Sequence, residues 1–232
     1  MFITNNLKTV LHNINAAISR RADDFMTGQQ VKLVAVTKNH PVSTIEQAVA
    51  AGISSIGENR IQEALSKYPL LDQSLEWHLI GHLQTNKVRQ ALPLFSLIHS
   101  VDSDRLAAEI NRVAHKLDKV QDILIQVNVA NEETKFGLPT VKTLELARLI
   151  SNLGNLRLCG LMTIAPFYEN AEDARPIFRE MYNLYKEISL LNLPNSDMKW
   201  LSMGMTNDYA VAIEEGANLV RIGTAIFGNR EY

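Results

Sequence analysis

The stretch Val31-Lys32-Leu33-Val34-Ala35-Val36-Thr37-Lys38, followed by Asn39-His40-Pro41, decides how the chain is read. Five of its eight residues are apolar and three are valine, the composition of a buried strand. Pro41 stops it. Period-two alternation puts Val34, Val36 and Lys38 on one face, and Leu33, Ala35 and Thr37 on the other. If the first face lines a barrel or cleft, the Lys38 ammonium loses water. Desolvation then favours the neutral amine, the form that attacks a carbonyl. The plainer reading is a strand-end lysine snorkelling to solvent.

Working outward, Leu7, Val10, Leu11, Ile14 and Ile18 mark an amphipathic helix over residues 3–26, and Gly28-Gln29-Gln30 turns into the strand. Beyond Pro41 helices and strands alternate. Strands are predicted at 53–57, 76–81, 95–101, 122–129, 156–164, 199–203 and 219–222, and helices at 43–51, 60–67, 84–91, 103–117, 140–152, 172–191 and 207–215. Ser43 and Glu46 fit a capping box, with Gly52 closing that helix. Asp102 or Ser103 caps the helix that ends near 117. Pro176 either interrupts the 172–191 helix or lies in its first turn. Strands separated by helices form a parallel sheet. A count of eight favours a closed (β/α)8 TIM barrel over an open doubly wound sheet, in one domain over residues 1–232. No helix is expected after the eighth strand, and the extra N-terminal helix is placed to fill that gap in the outer ring.

Bulk properties narrow the function. The 232 residues are 46% apolar, enough for a real core, and the net charge of −2 offers no field for nucleic acid or an anionic membrane. Cys159 is the only cysteine, so no internal disulfide forms, which suits a reducing cytoplasm. Residues 1–6 lack the charged start and apolar core of a signal peptide, and no apolar run approaches the ~18 residues of a membrane span.

Working residues of such barrels sit at the C-terminal ends of the strands. Those ends carry Lys38, Glu58-Asn59, His82, His99 to Asp102, Asn128, Met162-Thr163, Ser202 to Thr206, and Arg221 to Ala225. Phosphate commonly binds at the loops after strands seven and eight. There, Ser202 and Thr224 supply hydroxyls, and Gly204 and Gly223 permit close backbone approach. Each Gly-containing loop alone reads as a turn. Two of them, with a strand-end lysine across the mouth, make a joint site. Arg221 alternates with Gly223, so both face the mouth, and an inward arginine needs an acceptor. Glu58 or Asp102 would serve, and so would a phosphate-bearing ring with a nitrogen acceptor. His78 and His82 share a strand face, but no Cys or carboxylate set matches them, so core or supporting roles fit better than metal. Asn59 and Asn128 either bond a ligand or cap helices. Glu132-Glu133-Thr134-Lys135 reads as a solvated loop, and Cys159 as an inert core thiol.

The segments Val34-Ala35-Val36-Thr37-Lys38, Gly57-Glu58-Asn59, Trp77-His78-Leu79-Ile80-Gly81-His82-Leu83-Gln84-Thr85-Asn86-Lys87, His99-Ser100-Val101-Asp102, Leu201-Ser202-Met203-Gly204-Met205-Thr206 and Val220-Arg221-Ile222-Gly223-Thr224-Ala225-Ile226-Phe227-Gly228 resemble the YggS family of pyridoxal phosphate (PLP) homeostasis proteins. The likeness runs from about residue 5 to 228. Thr37 and Thr206 stand where many members have serine, and both keep a hydroxyl. The resemblance implies a barrel similar to the N-terminal domain of alanine racemase, with Lys38 holding PLP as a Schiff base. It implies that Ser202, Gly223 and Thr224 hold the phosphate and that Arg221 faces the pyridine nitrogen. Asn59 and His82 would line the pocket, and Met203 and Gly204 would add loop contacts.

Two functional classes follow. The first is a non-enzymatic carrier or buffer of PLP, acting in the cytoplasm as a monomer, with apo PLP-dependent enzymes as candidate recipients. The second is a PLP-dependent amino-acid racemase, in which Lys38 would be one catalytic base. A two-base route needs a second proton-transfer group. In alanine racemase that is a tyrosine from an additional C-terminal domain of a partner subunit, a domain for which a chain ending at Tyr232 is expected to have no room. Tyr209 and Tyr168 are the substitutes available. An arginine at the ring nitrogen also makes the ring a poorer electron sink. The arginine counts against transamination; the complete barrel and the missing further domain favour the carrier over the racemase. A metal hydrolase on the same barrel would need a converging His and carboxylate set.

Overall fold

In the computed structural model, which describes residues 2–132 and 134–228, eight parallel strands close into a barrel in chain order. The strands are β1 (Lys32–Val36), β2 (Ser55–Glu58), β3 (Glu76–Leu79), β4 (Leu97–Val101), β5 (Gln121–Gln126), β6 (Leu156–Met162), β7 (Ser196–Ser202) and β8 (Leu219–Ile222). Helices α1 (Phe2–Arg20), α2 (Val42–Ala50), α3 (Ile61–Lys67), α4 (Val88–Ala91), α5 (Asp104–Lys116), α6 (Thr140–Ser151), α7 (Arg175–Leu190), α8 (Tyr209–Glu214) and α9 (Thr224–Phe227) surround it. The TIM-barrel expectation is met.

Alternation along the strands sorts the apolar residues into two cores. Val34, Leu97, Leu124, Cys159, Met162 and Leu219 fill the lumen. Ala35, Ile56, Leu79, Ile98 and Ile123 point outward into the layer shared with the helices. α1 contributes Ile3, Leu7, Val10, Ile14 and Ala17 to that outer layer and packs against α2, α8 and α9. Each buried Ile, Leu or Val there is worth about 1.5–3 kcal/mol. The helix therefore completes the outer ring, as expected. α9 was not expected: one turn of helix follows Gly223, and Asn6 ties α1 to it by donating to Ile226 O at 2.9 Å.

Local boundaries differ in instructive places. The first helix stops at Arg20, six residues short of its predicted end, because Arg21 is drawn under the barrel. The Arg21 guanidinium donates to Ala217 O (3.2 Å), Gly216 O (3.1 Å) and the Thr27 hydroxyl. The capping box does not form. Pro41 occupies the N-cap in an extended conformation, so Ser43 already lies inside the first turn. Ser103 does cap α5, accepting from Leu106 N at 3.4 Å. Pro176 falls in the first turn of α7, where its missing N–H costs nothing.

Two strand junctions depart from regular pairing. Register shifts mark both sides of the Leu158–Gly160 segment of β6. Gly160 has φ +144, and an added Cβ would lie 1.8 Å from Trp200 O. Only glycine lets β6 and β7 meet there. β7 and β8 pair only at Ser202 and Leu219. Just before that pair Asn218 links β7 to the chain ahead of β1: Leu201 N donates to its Oδ1 (2.8 Å), while its Nδ2 donates to Lys199 O (2.7 Å) and Thr27 O (3.1 Å). A cavity of about 590 Å³ opens at this pole, with Lys32, Lys199, Trp200 and Asn218 on its walls.

Candidate functional site

Lys38 lies two residues beyond β1, half-buried, between two anchored neighbours. Thr37 is fully buried and donates its hydroxyl to Glu58 Oε1 at 2.7 Å. Lys67 Nζ donates to Thr37 O (2.9 Å), Glu58 Oε1 (2.7 Å) and Glu63 Oε1 (2.7 Å). Glu63 Oε1 also accepts from Asn39 N at 2.5 Å. Asn39 has φ 63, a conformation asparagine tolerates better than most residues. The backbone on either side of Lys38 is thus gripped by one buried ionic cluster. Burial raises the Glu58 carboxyl above its usual range, against the pull of Lys67 and Thr37.

The loops expected to take phosphate stand next to Lys38. The expectation of a lysine across the mouth is corrected here: β1 pairs with β8, because the barrel closes between its first and last strands. A Cβ on Gly223 would meet Val36 Cβ at 3.3 Å, and the His40 ring packs on Phe227 of α9 with centroids 4.6 Å apart. Gly223 is half-buried and Thr224 exposed. In the preceding loop Gly204 has φ +91, and an added Cβ would meet Ala212 Cβ at 2.6 Å, so the loop folds flat on α8. Gly204 O accepts from Arg221 N at 3.1 Å, joining the two loops. Met203 is buried in the outer core, so only its backbone can reach the mouth.

Ser202 faces the lumen rather than the surface of the loops. It is fully buried, and its Oγ accepts from Arg221 Nη1 at 2.5 Å and lies 3.0 Å from His99 Nδ1. The loop hydroxyl beside α9 is that of Thr206, which accepts from Ala225 N at 3.3 Å. Serine and threonine at 202 and 206 look alike in the sequence. Which hydroxyl faces in depends on where β7 ends, here Ser202 itself.

Arg221 is buried at the top of the lumen. Nη2 donates to Thr163 O at 2.8 Å. Neither carboxylate considered from the sequence reaches it: Glu58 is held by Lys67, and Asp102 lies 3.8 Å from His82 Nδ1. Burial pushes the guanidinium down to about 10, still charged at neutral pH. Asp208, whose Oδ1 accepts from Met205 N at 2.6 Å, is the acid whose field reaches it.

Asn59 is half-buried at the end of β2, and its Oδ1 is enclosed with no partner among the described residues. His82 stacks on Phe136 with centroids 4.1 Å apart and planes 12° from parallel. It is thereby separated from His78, which is buried in the lumen. Among the described residues no three or more His, Cys, Asp or Glu side chains gather as a metal site. Asn128 does not cap a helix as expected; it ties the following loop, bonding the backbone of Glu132 with both amide atoms (2.8 and 3.2 Å). Lys135 is not simply solvated. It is half-buried and donates to Ala165 O at 3.1 Å, while Glu133 lies outside the described residues. Cys159 is a lumen thiol, and burial pushes it up to about 12. The native protein should therefore resist iodoacetamide at pH 8 and react once unfolded in urea, as mass spectrometry can show.

His99 and Thr163 were placed at strand ends by the sequence but given no role there. The signal for His99 was present, because it alternates with lumen-facing Leu97 on β4. Thr163 acts through its backbone carbonyl, for which no side-chain signal exists.

The alanine racemase N-terminal domain model matches residues 6–231. The pyridoxal phosphate homeostasis protein of Aquifex aeolicus is 45% identical, over 97% of this chain and 97% of its own. The human protein of that name is 35% identical over 97% of this chain and 86% of its own. The structure of PipY from Synechococcus elongatus with PLP bound aligns at a TM-score of 0.83 and 34% identity, covering 97% of this chain and 100% of that one. An alanine racemase of Clostridium difficile aligns at 0.71 and 15% identity over 98% of this chain and 57% of that one, a likeness of fold.

Proposed function

Because the chain belongs to the pyridoxal phosphate homeostasis protein family, on the alanine racemase N-terminal-domain barrel, we propose that Lys38 carries PLP covalently on its ε-amine. The observation that carries this reading is the grouping of three features at one pole. Lys38 is held from both sides, the Gly223 turn abuts its strand, and charged Arg221 lies beneath. The enclosed, unpartnered Asn59 Oδ1 supports the fit, since a buried acceptor without a donor wants one from a ligand. When bound, PLP supplies an aldehyde carbon that can form a C=N link with a neutral amine and release water.

In this reading Thr224, Thr206 and the backbone of Gly204 and Gly223 take the phosphate. Asn59 and His82 line the wall. Ser202 acts behind Arg221, whose remaining guanidinium edge donates to the ring nitrogen. A charged donor keeps that nitrogen unprotonated and weakens the ring as an electron sink. The protein then serves as a cytoplasmic, monomeric carrier that holds a reactive aldehyde reversibly and yields it to apo-enzymes. The racemase alternative is disfavoured by Tyr209, which is buried with its hydroxyl accepting from Asn13 Nδ2 at 3.2 Å, on the α1 side of α8.

Borohydride reduction of the PLP-loaded protein, followed by peptide mapping, tests this. The reduced adduct is expected on Lys38 and absent from Lys38→Ala; an adduct on another lysine rejects the assignment. Cα deuterium exchange of amino acids should run no faster than with free PLP. Turnover of ~1 per second would make the protein an enzyme.

A further inference from the structure

A file of polar side chains crosses the otherwise apolar lumen from pole to pole. At the N-terminal pole Lys32 Nζ is bonded to Glu76 Oε2, which also accepts from Ser55 Oγ at 3.0 Å. Glu76 Oε1 lies 3.1 Å from His78 Nε2, in contact but bent away from hydrogen-bond alignment. His78 Nδ1 is 2.9 Å from His99 Nε2, and His99 Nδ1 is 3.0 Å from Ser202 Oγ. Arg221 Nη1 donates to that oxygen. His78, His99 and Ser202 are all fully buried.

The two ends leave one choice of proton positions. Arginine can only donate, so Ser202 Oγ accepts at the top. An ionised carboxylate can only accept, so the ring nitrogen facing Glu76 carries the proton. Running the chain between these limits, Ser202 Oγ–H donates to His99 Nδ1, His99 Nε2–H donates to His78 Nδ1, and the His78 Nε2 proton is left on the Glu76 side, off the hydrogen-bond axis. The opposite order would set a lone pair of His78 against the carboxylate and leave the Ser202 proton without this acceptor. Burial lowers both imidazoles below the ordinary histidine range, favouring the neutral form the chain requires; the charges facing them are Glu76 and Lys32 below and Arg221 above.

We propose that His78 and His99 form a positioning relay, through which Glu76 at one pole of the barrel orients Ser202 as an acceptor and so fixes the Arg221 guanidinium at the other. None of the relay residues below Ser202 needs to touch a ligand. The consequence for the bound ring rests on the reading of Arg221 given above. The relay itself does not, and it can be measured without PLP.

The test is ¹⁵N NMR of histidine-labelled, PLP-free protein. His78 and His99 are both expected as the neutral Nε2–H form, unchanged between pH 6 and 8. A proton on Nδ1 of either, or an imidazolium, overturns the relay whatever Lys38 carries. In Glu76→Gln the carboxylate is gone, and the Nδ1–H form of His99 should become visible at roughly a tenth or more of the population. That corresponds to a bias reduced to ~1.4 kcal/mol. An unchanged His99 in that variant overturns the coupling. In loaded protein the same substitution, remote from the mouth, should move the absorbance pH profile, whereas Glu109→Gln, in the Arg112 pair on α5 and outside the file, should not. If the relay tautomers are found but no adduct forms on Lys38, the PLP reading fails and the relay stands.

Discussion

Lys67→Met is expected to destabilise the protein by about 3–5 kcal/mol at neutral pH, because it leaves the Glu58 carboxylate buried without its cation. The loss should depend on pH in a definite direction. Glu58 titrates above its ordinary 4.5 in the folded protein. Below that value both folded and unfolded chains carry the proton, and burial costs nothing extra. Above it the unfolded chain ionises first, so stability falls as pH rises toward the folded value. Lys67 opposes this shift, and removing it widens the window upward. Urea midpoints should therefore show a larger deficit for Lys67→Met at pH 8 than at pH 5. Glu58→Gln in the same background should recover most of the loss. An equal deficit at both pH values would mean that lost packing, not charge, is responsible. The variant should also slow borohydride trapping at Lys38, since residues 37 and 39 lose their common anchor.

Gly160→Ala should be among the most damaging single changes in the barrel wall, at ~4 kcal/mol or more. The methyl would fall 1.8 Å from Trp200 O, so β6 and β7 must separate at that point. The positive φ adds strain that no side-chain movement relieves. Gly154→Ala is the matched control. Nothing lies within 4 Å of its added Cβ, and its midpoint should move by less than ~0.5 kcal/mol. Comparable losses in both variants would show that the β6 glycine is tolerated like any turn residue.

The sequence made the strands legible because each carries its own period-two pattern. Val34 and Ala35 went to the two cores that alternation assigned them. Helix ends were less legible, since they depend on distant acceptors. Arg21 leaves its helix for the carbonyls of Ala217 and Gly216, nearly two hundred residues away. In the site, residue types at strand ends were readable, but their partners were not. Arg221 was recognised as needing an acceptor, yet Thr163 O is a backbone atom that no composition reveals.

The order of strands and helices, and the lysine, arginine and glycine turns at strand ends, were determined by the sequence alone. Local periodicity and turn chemistry are properties of neighbouring residues. Closure of the barrel decided the rest. It set β8 against β1 so that Gly223 adjoins the Lys38 strand, turned Ser202 inward and left Thr206 beside α9, and brought His78 within hydrogen-bond reach of His99. Those relations depend on strand tilt and register summed around eight strands, which no short stretch of chain encodes.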